Sequence, residues 1–100
     1  MRAALLEKNQ QPLALVEDVD IQDPGPGEVL VKVSHCGICH SDLTVVDMHG
    51  GGQLPCVLGH EAAGIVESVG SAVTRLAKGD RVMLTPIPTC GACYYCGRNQ

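Results

Sequence analysis

Short runs of Val, Leu, Ile and Ala recur along this chain between polar turns. Arg2–Leu6 predicts a first strand. Leu13–Ile21 alternates in part, with Leu13, Leu15, Val19 and Ile21 apolar, and predicts a second. Val29-Leu30-Val31-Lys32-Val33 is the clearest strand, being β-branched and apolar. Ala62–Val69 predicts another, with Gly64 inside it as a bulge or a close backbone contact, and Asp80–Thr85 predicts the last. Asp23-Pro24-Gly25-Pro26-Gly27-Glu28 is a dense turn signal. Gly50-Gly51-Gly52 forms a flexible loop ahead of Pro55, and Val73–Gly79 forms another loop. Only Ser41–Met48 suggests helical turns, with Ser41 as the N-cap. The sequence contains no repeat, heptad or long helix. Short strands with regular turns imply a small barrel or sandwich.

Composition narrows the picture. One hundred residues make one small domain or part of a larger protein, and about 60% of the unfolded surface is buried at that size. Phe and Trp are absent and Tyr occurs twice, so aliphatic side chains must form the core and a bound metal would reinforce it. The formal charge is -4 with scattered basic residues, which excludes the clustered basic face of a nucleic-acid binder. Glu17, Asp18, Asp20 and Asp23 read as a solvated strand edge. The apolar run after Met1 meets Glu7 and Lys8 at once, too soon for a signal peptide. No stretch approaches the ~20 apolar residues of a membrane span. Six cysteines without an export signal point to thiols or metal ligands in the cytoplasm rather than disulfides.

The cysteines fall into two motifs. Cys90-Gly-Ala-Cys93-Tyr-Tyr-Cys96 places three thiolates on one tight loop, three quarters of a tetrahedral zinc site. The fourth ligand must come from elsewhere in the fold or from beyond Gln100, and the closing residues do not read like a natural terminus. Cys36-Gly37-Ile38-Cys39-His40 matches the haem attachment signature C-x-x-C-H, but that chemistry belongs to exported proteins. Pairing Cys36/Cys39 with Cys90/Cys93 as one zinc ribbon requires a far longer separation than the usual ~15–20 residues. It also leaves Cys96 and Gly59-His60-Glu61 unexplained. Two separate zinc sites use every motif, the second built on Cys39 and His60, a thiolate and an imidazole that suit zinc.

Gly37-Ile38-Cys39-His40-Ser41-Asp42, Gly59-His60-Glu61-Ala62-Ala63-Gly64 and the Cys90–Cys96 loop together resemble the zinc-dependent medium-chain alcohol dehydrogenases. Pro24-Gly25-Pro26-Gly27-Glu28-Val29 and Lys78-Gly79-Asp80-Arg81-Val82 fit the same family, so the resemblance covers nearly all of the chain. It implies that residues 1–100 are the N-terminal GroES-like catalytic domain, a mainly β, partly open barrel with short helical turns. The family's Rossmann domain would follow, and the structural-zinc loop would be cut at the C-terminal end. By resemblance, Cys39 and His60 are catalytic zinc ligands and Glu61 sits beside the metal, able to approach it. Asp42 would hold His60 in its correct tautomer, and Ser41 would bond the alcohol oxygen and start a proton relay. His40 would face the cofactor pyrophosphate. Cys90, Cys93 and Cys96 would be three of four structural-zinc ligands.

The activity implied is reversible oxidation of an alcohol to an aldehyde or ketone with NAD or NADP, in a homodimer or homotetramer. The partners are small molecules, with neither nucleic acid nor membrane. Many relatives place a histidine five residues after the first zinc cysteine to finish the relay; here that position is Thr44, and His49 is out of register. Cys36 and Cys56 read as small core residues, His35 as a strand side chain and His49 as loop surface. No G-x-G-x-x-G occurs, so this piece alone should not turn over. A rival reading is a GroES-like barrel that binds zinc as a structural module without redox chemistry.

Overall fold

A computed structural model describes residues 1–98. The elements are β1 (Ala3–Leu6), β2 (Ala14–Val16), β3 (Val29–Cys36), α1 (His40–Asp47), β4 (Cys56–Val57), β5 (Ala62–Val69), β6 (Arg81–Met83) and a closing 3₁₀ turn, Cys96–Arg98. The strands form two antiparallel three-stranded sheets, ordered β2-β1-β4 and β3-β5-β6. This is the mainly β, open architecture expected of a GroES-like barrel.

The core is small. Leu6, at the end of β1, is fully buried, and Val66 and Ala62 of β5 join it. Along the first half of β5 the buried positions fall at every second residue, Ala62, Gly64 and Val66, the period of a strand with one covered face. Many aliphatic side chains stay exposed, among them Leu15, Ile38, Met83 and Ile87.

The β3–β5 pairing matters most for function. It runs from Val29 opposite Val69 to Cys36 opposite Ala62, with register shifts between Leu30 and Val31 and between Val33 and His35. The second shift leaves Ser34 as the extra residue of a bulge facing Gly64. A side chain at Gly64 would run into the Lys32 carbonyl, so the glycine marks both the bulge and the close approach its position suggested. The pairing continues past the ladder, where the Gly37 amide donates to the Glu61 carbonyl at 3.0 Å. The stretch leading to Cys39 is thereby laid beside His60-Glu61.

Several sequence expectations shift. The second strand shrinks to Ala14–Val16; beyond it Glu17, Asp18 and Asp20 break the apolar alternation and Ile21 is 60% exposed. The third strand runs three residues further than Val33, to Cys36, because β5 is long enough to pair with it. The last strand is Arg81–Met83, with Leu84 still donating its amide to the Ala62 carbonyl. The two-residue β4 was not foreseen, being too short for a periodicity. Cys36 is exposed rather than a core residue, since it sits at the outer end of β3, where burial has run out. Cys56 is half-buried. His35 is an exposed strand residue and His49 lies on the surface, as read.

Candidate metal centres

The first centre is built at the start of α1. The helix begins at His40, with Cys39 and not Ser41 as its N-cap. The reason is Asp42: its Oδ2 accepts the Cys39 amide at 3.1 Å, the reciprocal half of a capping box. Its other oxygen, Oδ1, stands 3.3 Å from His60 Nδ1. A carboxylate only accepts, so the proton between them sits on Nδ1 and the Nε2 lone pair is free to bind a metal. Gly59, at φ +127, turns the chain directly before His60 in a conformation that side-chain-bearing residues rarely adopt.

Ser41 bridges the pair. Its Oγ lies 3.2 Å from Cys39 Sγ and 3.2 Å from His60 Nε2. Ligand atoms of Cys39, His60 and Glu61 all lie within 4.8 Å of one another. The Ser41 hydroxyl, donating to sulfur, lowers the Cys39 thiol below its ordinary range, and the Ser41 backbone and His60 add to it. The contact with Cys39 raises His60, helped by the charge of Asp42 and opposed by partial burial. Both shifts run in the direction expected of a sulfur and an imidazole nitrogen drawn together, and a cation bound between them would take the place of a shared proton.

Of the remaining residues assigned from the sequence, His40 is exposed on the first turn of α1. Thr44 donates its hydroxyl to the His40 carbonyl at 3.3 Å, within its own helix. His49 lies instead beside the Gln10 side chain. The far end of α1 is held from the β1–β2 loop: Asn9 Nδ2 donates to the Val45 carbonyl at 2.8 Å and the Gln10 amide to the Val46 carbonyl at 2.6 Å. No motif or periodicity in the sequence singles out Asn9 or Gln10.

The second centre is the loop of Cys90, Cys93 and Cys96, whose sulfur atoms also lie within 4.8 Å of one another. Backbone amides point at the sulfurs. Ala92 and Cys93 donate to Cys90 Sγ at 3.5 and 3.3 Å, and Cys96 donates to Cys93 Sγ at 3.5 Å. The amides of Ala92 and Cys93 draw the Cys90 thiol down to about 7, and the Cys96 amide lowers Cys93. Three clustered sulfurs, two of them drawn toward thiolate by backbone amides, are the donor chemistry of a structural zinc site. These are the two metal-capable clusters among the described residues.

The family model for the alcohol dehydrogenase GroES-like domain matches residues 25–100. The chain belongs to that family. Its solved relatives include a zinc-dependent alcohol dehydrogenase from Streptococcus pneumonia, 32% identical with a TM-score of 0.86, over 98% of this chain and 28% of that one. Among curated relatives, the class-3 alcohol dehydrogenase of Dictyostelium discoideum is 42% identical over 100 residues, covering 99% of this chain and 26% of that protein. Among solved structures, benzyl alcohol dehydrogenase from Acinetobacter calcoaceticus superposes with a TM-score of 0.87 at 41% identity, over 97% of this chain and 26% of that one. A protein from Sinorhizobium meliloti, solved bound to NADP, superposes with a TM-score of 0.80 at 38% identity, over 97% of this chain and 28% of that one. This GroES-like domain thus spans about a quarter of the length of the dehydrogenases it matches. No helix among the described residues is long and apolar enough to cross a membrane.

Proposed function

We propose that this GroES-like domain is the N-terminal catalytic part of a zinc-dependent oxidoreductase. That enzyme interconverts a small alcohol and its aldehyde or ketone with NAD or NADP. The observation that carries the reading is the convergence of Cys39, His60 and Glu61 within 4.8 Å, with Asp42 fixing the imidazole from behind. Cys39 and His60 would hold the catalytic zinc with Glu61 beside it. Cys90, Cys93 and Cys96 would hold a structural one, its fourth ligand lying outside residues 1–100. The zinc supplies a Lewis acid that acidifies the substrate hydroxyl, and the dinucleotide supplies the hydride acceptor.

The chain's own residues do the rest. Asp42 keeps the Nε2 face of His60 unprotonated. Ser41, whose Oγ lies 3.2 Å from an atom of each ligand, would take the substrate's hydroxyl proton through that oxygen, which accepts and donates at once. The Thr44 hydroxyl is bonded to the His40 carbonyl, so a relay from Ser41 would end in solvent or at the cofactor rather than continue through Thr44. His40, exposed on the first turn of α1, would meet the cofactor pyrophosphate. The setting is read as the cytoplasm. The full-length protein is read as a homodimer or homotetramer.

Metal analysis of the full-length protein tests the reading. Two zinc ions per chain are expected, falling to one in Cys39→Ser. A single zinc that Cys39→Ser leaves in place overturns the catalytic centre and leaves a structural zinc module.

A further inference from the structure

We infer that Asn9 and Gln10 are positioning residues for the catalytic centre: they clamp the C-terminal end of α1 and so fix Cys39, Ser41 and Asp42 at its other end. The inference rests on the metal-site reading above. The helix that carries these three residues is only eight residues long and buries no side chain, so packing alone does not hold it. Its C-terminus also lacks the usual closures. The C-cap, Met48, has an extended backbone at φ -58 and ψ 144 rather than the left-handed conformation of a capping glycine, and the last turn carries no basic residue.

The last carbonyls of a helix have no partner within it. Here two of them are met from the β1–β2 loop, Val45 by the Asn9 side chain across 36 residues of sequence and Val46 by the Gln10 backbone. Gln10 stands at φ 61, among the described residues the one non-glycine in the left-handed region. That conformation is uncommon for such a residue and is kept where the surroundings demand it. It aims the Gln10 amide at Val46. The two ends of α1 are thus tied to different parts of the barrel, Asp42 to His60 on the β5 side and Val45–Val46 to the β1–β2 loop. A helix held at both ends places Cys39 against His60, and one held only at Asp42 can swing the thiolate and the Ser41 hydroxyl away.

The test uses full-length protein. Asn9→Asp keeps the shape but removes the N–H donor, and Asn9→Ala serves if that variant fails to fold. Gln10→Gly keeps the backbone donor and suits the left-handed backbone, so it is the control. Amide exchange is followed across residues 40–47 and across β5. Zinc release to a chromogenic chelator is followed in parallel, with Cys39→Ser marking which release phase belongs to the catalytic centre. The expected result for Asn9→Asp is faster exchange in α1 with β5 unchanged, and release from the Cys39 centre faster by about 10–100-fold, the usual effect of removing an outer support of a metal site. Release from the Cys90 loop stays as it was, and Gln10→Gly behaves as wild type. Unchanged exchange in α1 overturns the clamp. Faster exchange with unchanged zinc release overturns its positioning role and leaves a fold contact. Should wild-type protein hold no zinc at Cys39, the metal reading itself fails, and the clamp is then judged on exchange alone.

Discussion

Asp42 touches Cys39 and His60 with different oxygens, Oδ2 on the Cys39 amide at 3.1 Å and Oδ1 on His60 Nδ1 at 3.3 Å. One carboxylate therefore sets both the start of the helix that presents the thiolate and the tautomer of the imidazole. Asp42→Asn removes the charge, and an amide has a single acceptor oxygen for the two donors. Zinc affinity at this centre should fall by about 10–100-fold, measured by competition with a chelator in the full-length protein, while zinc on the Cys90 loop is retained. Equal affinity in wild type and variant would show that His60 is oriented by something else.

Ser41→Ala should keep zinc and cofactor binding in the full-length enzyme and lose about 10²–10⁴-fold in turnover, the usual weight of a positioned proton-transfer group. Ser41→Thr should stay active because the hydroxyl remains. Thr44→Ala is the control, since its hydroxyl serves its own helix. Near-normal turnover of Ser41→Ala at neutral pH removes the relay and leaves Ser41 as a polar neighbour of the two ligands.

The Cys90 loop makes a prediction about pH. Amides of Ala92 and Cys93 stabilise the Cys90 thiolate, so its folded pKa, about 7, lies below the ordinary thiol value. A depressed pKa contributes stability above the unfolded value, and that contribution is lost as pH falls from about 9 through 7. In metal-free protein, alkylation of Cys90 by iodoacetamide should therefore rise through a midpoint near 7; a midpoint at ~8.5, that of a free thiol, would show that the amides do not hold the thiolate. With zinc present the loop should resist alkylation at neutral pH and lose its metal as protons compete below it. Cys93→Ala should release this zinc and lower the melting temperature.

Gly64→Ala would push a methyl into the Lys32 carbonyl and against the Val31 side chain, 2.9 Å away. The β3–β5 ladder then has to open at the bulge, at a cost of about 1–3 kcal/mol as for other overpacked sites. Thermal melting checks this, and zinc retention at Cys39 should weaken in parallel, because the same ladder lays Cys39 beside His60. A melting temperature equal to wild type would mean that the strands separate there freely.

Much of this domain is legible along the chain. The β-branched run at Val29–Val33 and the apolar stretch that opens Ala62–Val69 mark the central strands, although the alternating burial of Ala62, Gly64 and Val66 is seen only in the fold. The C-x2-C-x2-C loop marks its own metal centre, because three thiolates that close in sequence have nowhere else to go. Cys39, His60 and the residues around them were readable as a motif.

What the sequence could not decide is how far each element runs and what meets what. Leu13–Ile21 alternates well enough to be a strand, yet only three residues find a partner, because pairing needs a neighbour and not only a pattern. Ser41 has the better side chain for a cap, but Asp42 reaches back to the Cys39 amide, and Cys39 caps the helix. Cys36 looks like a core residue until the end of β3 is seen to lie outside the buried face. The meeting of Cys39 with His60, 21 residues on, follows from the β3–β5 register and its bulge, and the hold of Asn9 and Gln10 on α1 follows from where the β1–β2 loop comes to rest. Both are long-range hydrogen-bonding arrangements, which no local propensity encodes; only the folded chain places the donors opposite their acceptors.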